Sequence, residues 1–323
     1  MSLRTCWCGG AVLQPWGGSY QSCACGTLVS NAAPESVTLY GSDYWFGHQT
    51  GQLGHPDLRE RARVDLPERC AYWLKTLLEY QLPPARVLEI GSGHGGFVSL
   101  LRMAGYDATG LEVDSEVAAL SREMFGIPVL AGTLESQELP AGSLDAVVLM
   151  DVLEHLPRPA ETLSHCMRLL RPDGLLLVQT PCFDPGRSHA ELGQASDPFL
   201  RMLLPESHLY LFSRQSVQRL LNSLGMTESA FEQPLFPQHD MFVAASTVPL
   251  SKTEPSRRDA SLLATCAGRH AAALLDAVEL LAATERRLAE CEADRAARLS
   301  LIQRQHSELQ RLMRPLWRRI TGG

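Results

Sequence analysis

The chain has 323 residues, of which 45% are hydrophobic and 20% charged, and its formal net charge is −7. This length and apolar content suffice for one large domain with smaller modules. The negative balance argues against a nucleic-acid partner, which would require clustered positive charge. The sequence has neither an apolar run of about 18 residues nor a secretory signal segment, so we expect no transmembrane helix, no export and a cytoplasmic location.

Two cysteine pairs stand near the N-terminus, each with one residue between its members and a glycine after it: Cys6 and Cys8, then Cys23 and Cys25. Thiolates suit a closed tetrahedral Zn²⁺ site, and so short a segment has no apolar core of its own. We predict a structural Zn²⁺ on these four residues in a zinc-ribbon-like module, although paired ligands are usually two residues apart. The alternative is a tail with incidental cysteines.

The segment from residue 34 to residue 80 connects this module to the rest of the chain. An aromatic cluster at Tyr40–Phe46 is expected either to cap a ligand pocket or to pack the module onto the main domain. Apolar residues recur with helical spacing over 58–80, which predicts a helix before the first strand of the next region. Pro83 and Pro84 mark its end.

From Arg86 onward, segments typical of buried strands alternate with segments typical of helices. Predicted strands cover 86–90, 107–112, 128–131, 144–150, 174–180, 226–231 and 240–246, and predicted helices cover 95–104, 115–125, 158–171 and 213–224. The alternation predicts an α/β fold with a doubly wound, mostly parallel sheet. Ligands bind at the carboxyl ends of such strands, so the residues that follow each strand are candidate site residues.

The first of these strands runs into a glycine-rich turn that opens a helix, with the sequence VLEIGSGHGGF at 87–97. Glycines at such a turn let the backbone approach a ligand closely. Gly91, Gly93 and Gly96 match the dinucleotide fingerprint G-x-G-x-x-G, so the loop alone leaves the cofactor open. Glu89, two residues before the first glycine, is the first indication of a different cofactor.

Polar residues also follow the second and third predicted strands. Glu112 stands about 20 residues beyond the glycine loop, where an acidic side chain accepts hydrogen bonds from ribose hydroxyls. Asp114 is predicted to be a helix N-cap. After the third strand, Thr133 or Glu135 is placed to contact an adenine amine, and Leu134 to pack on the ring; the alternative is a solvated loop.

The fourth predicted strand ends in Asp151-Val152-Leu153-Glu154-His155-Leu156-Pro157. This puts an aspartate, a glutamate and a histidine at the sheet edge where a ligand binds. Three roles are open for His155: a general base, a metal ligand together with Asp151 or Glu154, or a hydrogen-bonding element of the loop. Nothing in the spacing requires a metal, so the last is favoured.

Four motifs in order, VLEIGSGHGGF, GLEVD, LDAVVLMDVLEHLPRP and LLRPDGLLLVQTP, resemble the class I S-adenosylmethionine (SAM)-dependent methyltransferases. The resemblance covers about residues 80–246 and implies a Rossmann-like sheet of seven strands with SAM as cofactor. It further implies cofactor-binding roles for eight residues: Glu89, Gly91, Gly93 and Gly95 on the methionine and ribose side, Glu112 at the ribose hydroxyls, Thr133 and Leu134 near adenine, and Asp151 beside the cofactor. Thr133 stands where the family usually has an acidic residue.

The acceptor side is predicted in a long polar segment, 182–212, because loops after late strands of such sheets bind substrates. Its end, His208-Leu209-Tyr210-Leu211-Phe212-Ser213, resembles a segment found in these methyltransferases, including those that act on sugars. His208 is the candidate base for a hydroxyl acceptor, with Tyr210 second. The alternative is that His208 packs or caps and that Ser213 is a helix N-cap.

Beyond a polar linker, leucine and isoleucine recur at multiples of seven: Leu274, Leu281, Leu288, Ile302 and Leu309. The partner heptad positions are weak, so the helix either self-associates into a homo-oligomer, packs on its own domain or stays exposed. Arginines interleave with apolar residues over 311–320, which suggests peripheral contact with an anionic membrane surface.

Together these features predict five regions: a zinc-ribbon-like module at 1–33, a connecting segment and helix at 34–80, a SAM-binding methyltransferase domain at 81–248, a linker at 249–256 and a long helix at 257–323. Cysteine modules ahead of such a core resemble enzymes of sugar and surface-polysaccharide modification. The predicted function is therefore O-methylation of a sugar or glycan. The alternatives are methylation of another small molecule, such as a quinone precursor or natural product, and an inactive scaffold.

Overall fold

The computed structural model describes residues 4–10, 12–32 and 57–320, with side chains described as far as Arg311. The aromatic cluster predicted to cap a pocket or to pack the module, Tyr40–Phe46, lies outside the described residues.

A seven-stranded sheet forms the centre of the main domain. Its strands are β4 (Arg86–Ile90), β5 (Asp107–Glu112), β6 (Val129–Ala131), β7 (Leu144–Met150), β8 (Leu170–Pro181), β10 (Glu228–Glu232) and β11 (Asp240–Ser246), in the order β10-β11-β8-β7-β4-β5-β6. The five strands from β8 to β6 in this order pair in parallel, and β10 and β11 add antiparallel pairs at one end. The predicted Rossmann-like, mostly parallel sheet is confirmed.

Six α-helices lie between β4 and residue 263, and four of them match the predicted helices to within two residues at each end. The six are α3 (Gly96–Ala104), α4 (Ser115–Phe125), α5 (Pro159–Leu169), α6 (His189–Gln194), α7 (Arg214–Ser223) and α8 (Pro255–Leu263). Asp114 caps α4 by accepting from the N–H groups of Glu116 and Val117, which confirms the predicted N-cap. Ser213 caps α7, as the alternative interpretation of the segment from His208 to Ser213 expected.

The single helix predicted over 58–80 is interrupted. It consists of α1 (Leu58–Asp65), a π-helical turn (Leu66–Cys70) and α2 (Ala71–Tyr80). Pro67 lies at the start of the wide turn and has no backbone N–H, so it cannot supply one hydrogen bond of a regular α-helix. The interruption re-aims the side chains of this region, several of which reach the cavity described below.

A second, four-stranded sheet lies outside the main one. The N-terminal strands β1 (Leu13–Gly17), β2 (Tyr20–Cys23) and β3 (Thr27–Ser30) are antiparallel, and β9 (Tyr210–Phe212) pairs with β3 as the fourth strand. The long polar segment predicted over 182–212 therefore ends in a strand, β9, that was not predicted. Its apolar side chains are buried by pairing with a strand about 180 residues earlier, which local periodicity does not reveal.

The chain divides into two compact units, one ending at Leu274 and one beginning at Leu275. The helix α9 (Cys266–Ile320) accounts for the described part of the second unit. Its side chains are largely exposed, including the heptad residues Leu281, Leu288, Ile302 and Leu309 at 59% each. Among the described residues, no helix has the length and apolar character needed to cross a membrane.

Candidate functional site

A cavity of about 730 Å³ opens at the carboxyl ends of β4, β5, β6 and β7. This is the edge at which open parallel sheets bind their ligands. Ten predicted site residues line it: Glu89, Gly91, Gly93, Glu112, Thr133, Leu134, Asp151, His155 and His208, with Glu135 beside them. Two further predicted residues, Gly95 and Tyr210, are not among its lining residues.

The glycine loop after β4 approaches the loop after β7 closely at one point. Gly91 has φ +70°, and a Cβ atom there would lie 2.5 Å from Cγ2 of Val152. Gly95 also has a positive φ, +79°, but its Cβ direction meets Ile127 and Ser121. A side chain at Gly95 would therefore point toward Ile127 and Ser121, away from the cavity lining, and the cofactor-binding role of Gly95 stays a prediction.

Two buried glutamates line the cofactor end of the cavity. Glu89 is 3% and Glu112 is 5% exposed. Burial, with the neighbouring Glu112 carboxylate, raises the pKa of Glu89 well above its usual range. Burial also raises the pKa of Glu112, although the N–H groups of Asp114 and Gly93 bond to its carboxylate and oppose the shift.

Polar atoms in this part of the cavity lack partners within the described protein. Oε2 of Glu89 and Oγ of Ser92 are buried and make no hydrogen bond. Leaving such atoms unpaired is costly, so buried orphans at a cavity indicate a ligand that supplies the missing partners. These atoms fit a polar, positively charged ligand such as SAM.

The adenine side is more open than the ribose side. Leu134 is buried at 2% exposure, whereas Thr133 and Glu135 are exposed. Oε1 of Glu135 accepts a hydrogen bond of 3.0 Å from the Thr162 hydroxyl. Leu134 is thus available as an apolar surface for a ring, and the two neighbouring side chains are accessible to an amine.

A bridge that sequence reasoning missed ties α1 to the glycine loop. The Nε2 atom of His94 lies 3.0 Å from Oδ2 of Asp65, and the N–H of Gly96 donates to Nδ1 of His94 at 3.0 Å. Because Nδ1 accepts a hydrogen bond, neutral His94 carries its proton on Nε2 and donates it to Asp65. Burial opposes ionisation, but the His94 bond and the charges of Arg61 and Arg69 lower the pKa of Asp65.

Asp151, directly after β7, is bonded to Arg69 and so lies next to the Asp65–His94 pair. It has φ +56°, an uncommon value for a residue other than glycine, and such strain concentrates at functional sites. Its carboxylate accepts hydrogen bonds of 2.9 Å from both Arg69 and the Gln179 amide. The indole N–H of Trp73 donates to the same Gln179 side chain at 3.0 Å. Asp151 is therefore held in one orientation at the cavity wall.

The far end of the cavity contains two neutral histidines. Nδ1 of His155 lies 2.8 Å from the Ser207 carbonyl oxygen, and Nδ1 of His208 lies 2.7 Å from the Met202 carbonyl oxygen. A carbonyl only accepts, so each Nδ1 carries the proton and each Nε2 is the basic nitrogen. The bond to the Ser207 carbonyl agrees with the hydrogen-bonding role that the sequence analysis favoured for His155.

Burial sets the charge state of this end. It lowers the pKa of His155, and burial together with His155 lowers the pKa of His208 to about 3. Burial also raises the pKa of Glu154 well above its usual range, and the Thr180 hydroxyl bonds to its carboxyl group at 2.9 Å. The ligand atoms of Glu154, His155 and His208 lie within 4.8 Å of one another, a spacing that a divalent cation would also fit.

Asp240 completes the far wall and was not singled out from the sequence. It is 6% exposed at the start of β11, and burial with the nearby Asp151 raises its pKa to about 8. Its neighbour His239 lies with Nε2 3.7 Å from Oδ1 of Asp240. No motif surrounds these residues, so only their position at a strand start next to the sheet edge would have suggested them.

Tyr210 was placed second as a candidate base, and the structure corrects this. The side chain lies on β9, where its hydroxyl donates to the Thr5 carbonyl at 3.1 Å and Arg4 stacks over its ring. His208 precedes β9, whereas Tyr210 lies on the strand and packs toward the N-terminal module.

The four N-terminal cysteines form a compact cluster. Their sulfur atoms all lie within 4.8 Å of one another, with Cys6–Cys25 at 3.5 Å and Cys8–Cys23 at 3.6 Å. A Zn–S distance of about 2.3 Å in a tetrahedron implies sulfur separations of about 3.8 Å, so the four sulfur atoms are spaced to bind one Zn²⁺ ion. The hydrogen bond to Cys6 lowers the pKa of Cys25 to about 5, in keeping with a thiolate ligand.

The two halves of the cluster repeat one turn, despite the short spacing of each pair. The N–H of Gly9 donates to the Cys6 carbonyl, and the N–H of Gly26 donates to the Cys23 carbonyl. Both glycines have positive φ, +76° and +91°. Each Cys-x-Cys-Gly segment is thus a knuckle that turns both of its sulfur atoms toward one point.

A parallel Rossmann-like sheet whose glycine loop and acidic strand ends border one cavity is the arrangement of a class I SAM-dependent methyltransferase domain. The chain matches the model of the methyltransferase-domain family over residues 61–227, just over half of its length. It therefore belongs to this family.

Curated relatives agree with this assignment. A probable SAM-dependent methyltransferase of Mycolicibacterium smegmatis is 38% identical over 170 residues, covering 49% of this chain and 58% of the relative. A ubiquinone biosynthesis O-methyltransferase of Psychrobacter arcticus is 31% identical over 143 residues, covering 41% of this chain and 54% of the relative. The chain thus spans about half the length of the curated relatives it matches.

Solved structures are more distant. A SAM-dependent methyltransferase of Thermotoga maritima, described as a possible histamine N-methyltransferase, is 20% identical with a TM-score of 0.43, covering 59% of this chain and 96% of that one.

Proposed function

We propose that this protein is a SAM-dependent methyltransferase, that it acts on a hydroxyl group of a small-molecule acceptor and that His208 is the base. The observation that carries the proposal is the hydrogen bond from Nδ1 of His208 to the Met202 carbonyl oxygen, 2.7 Å long. It fixes the tautomer in which Nε2 has a free lone pair, in a cavity that also contains the glycine loop. A hydroxyl bound at that end would have a proton acceptor within the same cavity.

SAM supplies an activated methyl group on a sulfonium sulfur. In the proposed step the acceptor oxygen forms a bond to the methyl carbon, the carbon–sulfur bond breaks and its electron pair stays on sulfur. Nε2 of His208 takes the hydroxyl proton as the oxygen becomes acidic. The buried walls exclude water and hold the two reactants in line, which supplies much of the acceleration.

Within this function, we propose a sugar or glycan as the acceptor, in surface-polysaccharide or glycoconjugate synthesis. Support comes from the His208–Ser213 segment and from the cysteine module ahead of the core. A quinone precursor or natural product is the second candidate, supported by the similarity to a ubiquinone biosynthesis O-methyltransferase.

A screen with labelled SAM tests the acceptor. Nucleotide sugars, lipid-linked glycans and hydroxylated quinone precursors would be incubated with the protein, and methylated products identified by mass spectrometry. We expect an O-methyl sugar. A methyl ether on the quinone precursors alone would favour the second candidate, and a methylated nitrogen or carbon would refute hydroxyl transfer.

We propose further that Cys6, Cys8, Cys23 and Cys25 hold a structural Zn²⁺, because four protein ligands leave no position for a substrate. The five predicted regions remain our proposed domain organisation, and the cytoplasm our proposed compartment. Peripheral membrane contact by residues 311–320 stays a prediction, since the side chains beyond Arg311 lie outside the described residues.

Self-association through α9 is the proposed role of the second unit, because its heptad leucines are exposed and a partner would bury them. Leu288→Asp is expected to lower the mass of the oligomer measured by light scattering. The matched control is Ala293→Asp, which adds the same charge five residues later on an exposed position outside the heptad positions. A wild-type protein that is already monomeric, or an equal effect of both variants, would contradict the proposal.

A further inference from the structure

The segment that carries His208 is held in place by the N-terminal module. β9 begins two residues after His208 and pairs with β3, with Val29 opposite Tyr210, Leu28 opposite Leu211 and Thr27 opposite Phe212. All three residues of β9 are buried. The module therefore supplies the strand that completes the hydrogen bonding of β9.

Two side chains of the same module bond directly to the backbone around His208. The hydroxyl of Tyr20 donates to the carbonyl oxygen of His208 itself, at 2.8 Å. The hydroxyl of Ser30 donates to the Pro205 carbonyl, and the N–H of Ser30 donates to the Leu209 carbonyl at 3.0 Å. Tyr20 is 1% exposed, and burial raises the pKa of its hydroxyl, so it remains a donor.

The cysteine cluster lies at the turn that joins the two strands bearing these side chains. Cys23 ends β2, which begins at Tyr20, and Cys25 precedes β3, which ends at Ser30. The thiol of Cys25 bonds to the Thr27 hydroxyl at 3.2 Å, and the indole of Trp7 donates to the same hydroxyl at 2.9 Å. The arrangement of the sulfur atoms is thus coupled to the register of β2 and β3.

We propose that the cysteine module positions His208, with Tyr20 and Ser30 as positioning residues, so that a metal ion on the four cysteines organises the acceptor side of the cavity. This inference rests on the proposed function of His208 and of the cluster. The cofactor side belongs to the seven-stranded sheet, whose described strands pair only with one another and not with β1–β3. Disturbing the module should therefore affect the acceptor side and leave SAM binding intact.

Hydrogen exchange of the full-length protein, followed by mass spectrometry, tests the Tyr20 contact without any acceptor. In Tyr20→Phe, exchange of the amides in residues 205–212 is expected to accelerate about fivefold, the effect of losing one buried hydrogen bond. Zinc content and the SAM dissociation constant should stay within twofold of wild type. The matched control is Tyr106→Phe, which removes a similar hydroxyl bond to the Gln81 carbonyl in the main domain.

Two results would overturn the positioning role of Tyr20. One is unchanged hydrogen exchange over 205–212 in Tyr20→Phe, and the other is an equal acceleration there in Tyr106→Phe. Because this readout needs no methyl transfer, it stays informative if the acceptor screen fails. Conversely, failure of the wild-type protein to bind SAM would count against the enzyme function but not against the positioning of residues 205–212 by the module.

Metal removal tests the coupling to the cluster. Chelation of the full-length protein is expected to accelerate exchange over 205–212 by about 100-fold, while calorimetry gives a SAM dissociation constant within about threefold of the untreated protein. Cys8→Ser should act in the same direction, and Cys291→Ser, an exposed cysteine of α9, should not. Less than half an equivalent of zinc in the purified protein, or equal loss of protection in β4 and β7, would overturn the coupling.

Discussion

Replacing Gly91 with alanine is expected to weaken SAM binding by about 100-fold. The added Cβ would stand 2.5 Å from Cγ2 of Val152, well inside van der Waals contact. Val152 is β-branched and cannot rotate away freely, so the loops after β4 and β7 must separate. Both loops line the cavity, and a shift of this size removes contacts worth about 3 kcal/mol. Calorimetry with SAM measures the effect.

The matched control is Gly126→Ala. Gly126 has φ +64°, close to the +70° of Gly91, but a Cβ there meets no atom of the described residues within 4 Å. Both variants carry the same backbone strain, of about 1 kcal/mol, and only Gly91→Ala carries the clash at the cavity. Equal SAM affinities in the two variants would show that the loop at Gly91 does not contact the cofactor.

Substituting His208 with glutamine is expected to lower kcat by about 10²–10⁴-fold with the acceptor that the screen identifies. Glutamine retains a donor for the Met202 carbonyl but has no basic nitrogen. The SAM dissociation constant should stay within threefold of wild type, because His208 lies at the acceptor end of the cavity. His165→Gln, on α5 and outside the cavity lining, is the control. A kcat within fivefold of wild type would remove His208 from the mechanism.

The rate of methyl transfer is expected not to change between pH 8 and pH 5, the range in which an ordinary histidine titrates. Burial and His155 hold the pKa of His208 at about 3, so its Nε2 is unprotonated from pH 8 to pH 5. A weak base suffices because the acceptor oxygen becomes strongly acidic only as it binds the methyl group. A rate that falls with a pKa near 6.5, as for an exposed histidine, would contradict the burial of this base.

The burial of His208 also makes the stability of the folded protein decrease as the pH falls. Below pH 6.5 the unfolded chain binds a proton at His208 that the folded protein does not bind. The contribution of His208 to stability is therefore complete above about pH 6.5 and is lost as the pH falls toward 3, by about 2 kcal/mol between pH 7 and pH 5. The free energy of unfolding of His208→Gln should fall less than that of wild type over this interval.

The elements that can be predicted from the sequence are those set by interactions between residues close together in the chain. The bounds of β4, β5, β7 and β11 follow from continuous apolar runs between turn residues, which are local signals. β8 begins four residues earlier than expected, at Leu170, because Leu170 pairs with Leu144 before an irregularity in the register.

The candidate site divides in the same way. Glu89 and Glu112 were found because a motif surrounds each of them. Asp65 and Arg69 were missed because they belong to a helical region whose pattern is that of an ordinary amphipathic segment, and their cavity contacts form with residues 29 and 82 positions away. Tyr210 was misplaced because its role depends on β9, a strand that exists only through its distant partner.

The pair of buried glutamates at the cofactor end has a consequence for exchange of cofactor and product. SAM carries a sulfonium and an ammonium against one carboxylate, so its net charge is positive, whereas the demethylated product has none. We expect a positive charge placed beside Glu89 to favour ionisation of that carboxyl, so that binding of SAM would be coupled to release of a proton. Once the sulfonium is lost, the carboxyl would regain its proton. On the proposed cofactor role of Glu89, the site would then distinguish the charged cofactor from its neutral product by proton linkage, and product release would need no change of shape.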